Sequence, residues 1–94
     1  MARKTFDFVM TYVIRDKLSK LFKIGKCKNF KTRFSTLSTS NLNLELVFLL
    51  HYIPEKDLHK SFKSKRISKE WFDLTQEDLL GIIELEEEFL KISL

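Results

Sequence analysis

The chain has 94 residues, 44% of them hydrophobic and 32% charged, with 17 Lys and Arg against 13 Asp and Glu for a net charge of +4. That length suits one domain, residues 1–94, with a modest core, and no apolar run approaches the roughly 20 residues that cross a bilayer. The basic start, Met1-Ala2-Arg3-Lys4, is followed by Asp7 and lacks a small-residue cleavage site, so no signal peptide is read and no membrane partner is expected. The single Cys27 excludes an internal disulfide or a thiolate metal cage and fits a reducing compartment, cytoplasm or nucleus.

Phe6, Phe8, Met10, Tyr12 and Ile14 alternate with Asp7, Val9, Thr11, Val13 and Arg15, the period of two that marks a strand. Residues 16–19 are mostly polar and read as a hairpin loop, with a return strand over 20–26. Gly25, one of two glycines, stands where a strand must end or another group must approach the backbone closely.

Asn29 suits a helix N-cap, because its amide oxygen can accept a free first-turn N–H. Phe30, Phe34 and Leu37 then follow at spacings of four and three, and the Ser/Thr/Asn-rich stretch after them ends that helix at about Ser38. Residues 44–53 are almost continuously apolar and predict a central strand covered on both faces. Pro54 fits the first turn of a second helix, in which Glu55 and His59 share one face. Residues 63–69 form a basic connector and 71–74 a short extended piece. Thr75-Gln76-Glu77-Asp78 has the form of a capping box opening a third helix to about Lys91. The expected architecture is an α/β (α+β) domain with a three-stranded, mainly antiparallel sheet flanked by helices, in the order β-β-α-β-α-(β)-α.

Charge is divided unevenly along this order. Residues 1–69 hold 16 Lys and Arg against five acids, a net +11, whereas residues 70–94 hold one lysine against eight acids, a net −7. A basic region of this kind attracts polyanions by releasing their counterions. No Gly-rich phosphate loop, His/Cys cluster or zinc-finger spacing competes for the chemistry.

The pattern Tyr12-Val13-Ile14, then Lys23-Ile24-Gly25, then Arg33 resembles the GIY-YIG nuclease superfamily, whose hairpin carries two name-giving motifs and whose next helix carries an arginine. Glu55 through His59, Arg66 and Glu70-Trp71-Phe72 are similar to a small viral, phage and bacterial branch with a lysine in the second motif and a Glu-Trp-Phe ending. The likeness spans about residues 8–75. Met10 and Thr11 stand where the first motif has glycine and isoleucine, Lys23 where many relatives have tyrosine, and Leu37 where other branches have histidine.

The resemblance implies single-metal hydrolysis of DNA phosphodiesters. Tyr12, Lys23 and His59 would aid deprotonation of the attacking water, and Arg33 would stabilise the charge that builds on the phosphate. Glu55 would hold Mg²⁺ or Mn²⁺, with Glu70 as a rival ligand or a partner of Arg66 or Arg33. Each has a plainer reading beside it: Tyr12 as core, Lys23 as an edge-strand lysine, Glu55 as a first-turn acid, His59 as a structural ring. Lys26, Lys28, Lys31 and Arg66 are the expected phosphate contacts. DNA is the expected partner, with RNA second, and sequence preference would need a homodimer or a separate specificity partner. The alternatives are a non-catalytic nucleic-acid-binding module of the same fold, or a protein-interaction unit using the acidic segment around Glu84–Glu88.

Overall fold

The computed structural model describes residues 9–93, so the first part of the predicted opening strand, with Phe6 and Phe8, lies outside the described residues. Five strands and three helices follow in chain order: β1 Met10–Asp16, β2 Phe22–Cys27, α1 Phe30–Ser40, β3 Leu44–Leu50, α2 Glu55–Ser61, β4 Arg66–Ser68, β5 Trp71–Phe72 and α3 Gln76–Ser93. The sheet is antiparallel throughout, in the order β3-β1-β2-β5-β4. The α+β class is as expected, but the sheet has five strands rather than three. The extra pair comes from the predicted connector, where a 3-10 turn at Lys63–Lys65 leads into β4, and from the short extended piece, which is β5.

The β1–β2 hairpin is closed by side chains of its own loop. Asp16 accepts from the backbone N–H groups of Leu18 and Ser19, and its other oxygen accepts from the Asn41 amide. Those hydrogen bonds, that from Asn41 foremost, hold the Asp16 carboxyl below its ordinary value of 3.8. Lys20 takes φ 68° to turn the chain back. Alternation in the paired strands then sorts the core into two faces. Tyr12, Ile14 and Cys27 pack with Phe30, Phe34 and Leu37 of α1. Val13, Phe22, Ile24 and Phe72 pack with Leu58 of α2 and Ile82 of α3. Full burial of such side chains contributes about 1.5–3 kcal/mol each.

Two expectations need correction. The apolar run predicted as a central strand forms β3, which lies at the sheet edge, with Leu46 45% exposed. Its continuous hydrophobicity reflects two covered faces: Leu44 and Leu49 join the α1 side, while Val47 and Phe48 join the other. Helix α1 also runs past Ser38 to Ser40. Its Ser and Thr hydroxyls donate back to carbonyls of the previous turn, as Thr36 does to Thr32 and Thr39 to Ser35, so they find partners within the helix and not in a loop.

The predicted caps are present. The Asn29 side chain accepts from Thr32 N–H. Thr75 and Asp78 form a reciprocal capping box, each accepting the other's backbone N–H. Burial pushes the Asp78 carboxyl up, but its bonds to Lys65 and Thr75 outweigh that and hold it below its ordinary 3.8. Its contribution is therefore present above that value and lost as pH falls through the folded-state value. Thr75→Ala should cost about 1 kcal/mol at neutral pH, and less in acid, by urea unfolding at the two pH values. A Cβ on Gly81 would meet open space, so Gly81→Ala should add about 0.5–1 kcal/mol in the same assay.

Candidate functional site

The site begins with a cross-strand pair. Tyr12 of β1 lies opposite Gly25 of β2, and a Cβ on Gly25 would collide with the ring and hydroxyl of Tyr12. The glycine is what lets the phenol lie flat across β2. Beyond it, β5 covers only the start of β2, pairing at Phe22 and Lys23. Past that point Ile24 N–H donates to the Glu70 carbonyl, and the Ile24 carbonyl accepts from His59 Nε2 at 2.8 Å. A hollow opens there between the sheet, α1 and α2.

Tyr12, Lys23, Lys26, Arg33, Glu55 and Glu70 line this cleft together with Leu37, around a volume of about 260 Å³. Residues up to 58 positions apart in sequence, Tyr12 and Glu70, thus meet at one place. Lys23 Nζ donates to Glu70 Oε1 at 3.0 Å and lies 5.7 Å from the centre of the Trp71 ring. Glu70 therefore pairs with Lys23, not with the Arg66 or Arg33 expected for it. Arg33 and Lys26 form no ion pair with a carboxylate among the described residues, which leaves two cations at the cleft for an external anion.

His59 stands behind Glu55. Its Nε2 is 3.6 Å from Glu55 Oε2, and its ring meets Phe72 edge-on at 4.9 Å. The Ile24 carbonyl can only accept and the Arg66 guanidinium can only donate, so Nε2 carries the proton and Nδ1 accepts from Arg66 Nη2 at 3.2 Å. Both ring nitrogens are engaged in the neutral tautomer. Arg66 is itself held at 5.6 Å from the Phe72 ring, and so is drawn into this network. Lys28 lines a more open surface depression with Arg33, while Lys31 is exposed on α1 and lines neither this depression nor the cleft.

Tyr12 is 2% exposed. Burial first, then the negative charge of Glu70, pushes its phenol up to about 12, with Arg33 opposing. Burial likewise raises the Cys27 thiol against the pull of Arg33, so this sulfur is a core group and not a nucleophile. Tyr12 thus remains protonated at neutral pH.

Among the described residues no three His, Cys, Asp or Glu side chains cluster to hold a metal ion. The donor set still fits a hard cation that keeps most of its ligands as water and phosphate oxygens, because Glu55 offers one carboxylate on the cleft wall. Leu37 and the Tyr12–Gly25 stack were not assigned to the site from sequence. The stack is signalled by a tyrosine and a glycine placed symmetrically about a hairpin loop, a register that only the loop geometry settles.

Two tests follow from the buried phenol. In an alkaline titration followed at 295 nm, wild type should show a tyrosinate phase near pH 12 that Tyr12→Phe lacks. The raised value means that the neutral phenol stabilises the fold up to pH 10, and that this contribution is lost between 10 and 12. Gly25→Ala should cost about 1–3 kcal/mol through overpacking, and a double-mutant cycle with Tyr12→Ala should recover part of it.

Neither a curated protein nor a solved structure matches the chain significantly. A family model does match, over residues 9–87, and it is the T5orf172 domain. This corrects the resemblance to the GIY-YIG superfamily, for which no family model matches. The likeness rested on the spacing of Tyr12, Gly25 and Arg33, while Met10, Thr11 and Lys23 replace the residues that spell the motifs. T5orf172 domains are nuclease-like, which ties the chain to nucleic acid, and with the match covering most of its length the chain belongs to the T5orf172 domain family.

Proposed function

We propose that this domain is a divalent-metal-dependent endonuclease that hydrolyses DNA phosphodiester bonds at the Tyr12–Arg33–Glu55 cleft. The observation that supports it is the convergence of a protonated phenol, two carboxylates and three cations on one hollow. Arg33 and Lys26 bind the scissile phosphate, the guanidinium taking two oxygens at once and stabilising the charge that develops there. Tyr12, kept neutral by burial, orients the attacking water through its oxygen. Glu55 holds Mg²⁺ or Mn²⁺, and Glu70 anchors Lys23 at the cleft wall. Bound there, the cation supplies Lewis-acid stabilisation of the phosphate and lowers the pKa of its coordinated water. His59 acts as a positioning residue, its Nε2–H fixed between the Ile24 carbonyl and Glu55.

The cleft offers mainly phosphate contacts, so we assign sequence preference to a second copy or to a separate partner. A reducing intracellular setting, cytoplasm or nucleus, suits the one buried thiol. No helix among the described residues is long and apolar enough to cross a membrane.

A second reading, a non-catalytic module that only holds DNA or RNA, is favoured by the Lys23–Glu70 pair, which commits two cleft residues to each other. Nicking of supercoiled plasmid separates the two. With Mg²⁺ or Mn²⁺, wild type should nick, and Arg33→Ala and Glu55→Gln should each lose about 100-fold or more. Absence of nicking with retained DNA binding, weakened in Arg33→Ala, would leave the binding module standing.

A further inference from the structure

A second hollow, of about 340 Å³, opens beside the phosphate cleft and shares Lys26 and Glu55 with it. Its walls differ in character from those of the cleft. Val9, Ile53 and Pro54 make it largely apolar, and His51 and Tyr52 are also among the residues that line it. Lys56 adds a further cation at the rim. We propose that this hollow holds a nucleobase of the strand whose phosphate lies in the cleft, stacked on Tyr52.

Three features support that occupant. An apolar hollow with planar side chains suits the face of a base, and stacking on an aromatic ring is tolerant of base identity. The shared residues Lys26 and Glu55 place the hollow against the phosphate cleft, as the next unit of one strand requires. The platform is also fixed. The backbone N–H groups of His51 and Tyr52 both donate to the Glu86 carboxylate of α3, at 2.7 and 3.2 Å, and the Thr11 hydroxyl donates to the Ile53 carbonyl at 2.6 Å. A pre-set wall loses little freedom when a ring lies on it. Tyr52 is 41% exposed, so it lies outside the buried core and its truncation is compatible with folding.

The proposal rests on the cleft being a phosphate site, and does not require that site to be catalytic. Binding by the full chain in EDTA at low salt tests it, using fluorescein-labelled dT10 and a decamer of ten abasic deoxyriboses with the same number of phosphates. Wild type should bind dT10 about tenfold more tightly than the abasic strand, Tyr52→Phe should keep that preference, and Tyr52→Ala should bind both strands alike. Equal affinity of wild type for the two strands, weakened for both by Arg33→Ala, would keep the phosphate site and overturn the base subsite. A preference for dT10 that survives in Tyr52→Ala would also overturn it, by placing the bases elsewhere. Binding of neither strand would overturn it together with the phosphate reading on which it rests.

Discussion

The Tyr12 ring lying over Gly25 is the contact around which the site is arranged. It needs a residue without a Cβ on β2, a tyrosine at the paired position on β1, and a hairpin loop that sets the register between them. The same ring is part of the α1-side core, at 5.9 Å from Phe30. One side chain therefore uses the hairpin register, packs against α1, and brings a hydroxyl to the cleft wall. Because its pKa is set mainly by burial, the packing that stabilises the fold also decides the protonation state that the site has to work with.

Incomplete pairing of β2 makes the cleft. The Ile24 N–H carries the β2–β5 ladder one step further, to the Glu70 carbonyl, but the Ile24 carbonyl accepts from the His59 ring instead of from a strand, which draws α2 to the edge. The electrostatics follow from this arrangement. Lys23 is neutralised by Glu70, Arg66 is turned toward His59 and Phe72, and Arg15 pairs with Glu45 across the strands. Of the basic residues that line the cleft, Arg33 and Lys26 form no ion pair with a carboxylate among the described residues. Total charge pulls a polyanion toward the surface; the pairing pattern selects where it is held.

Local signals in the sequence identified elements whose chemistry is also local. Asn29, Thr75 with Asp78, and the alternation through β1 marked caps and a strand that the structure contains, because each depends on neighbours within a few residues. The position of β3 was not legible in this way. A continuously apolar run says that both faces are covered, and it does not say whether both edges are paired. β4 was read as connector, and β5 only as a short extended piece with no place in the sheet, because strands of three and two residues have too few positions to show a period. Glu70 lines the cleft but pairs with Lys23, where Arg66 or Arg33 was the expected partner, since Lys23 reaches it only through the β2–β5 pairing that brings Trp71 opposite Lys23.

The uneven charge along the chain has a structural outcome as well as an electrostatic one. An acidic helix beside a basic sheet would compete with a polyanion for the same cations if its carboxylates faced the cleft. They do not line it: the acids there are Glu55 and Glu70, neither of them from α3. Two α3 carboxylates are used in folding. Asp78 caps its own helix and binds Lys65, and Glu86 accepts the backbone N–H groups of His51 and Tyr52 where β3 turns into α2. An acceptor with two oxygens is well suited to a pair of adjacent donors left without ladder partners at a strand end. The acidic segment thus holds the turn between β3 and α2 in place, and that turn carries both the walls of the second hollow and the first residue of α2, Glu55. In this way the negative end of the chain sets the geometry of the cleft whose cations come from its positive remainder.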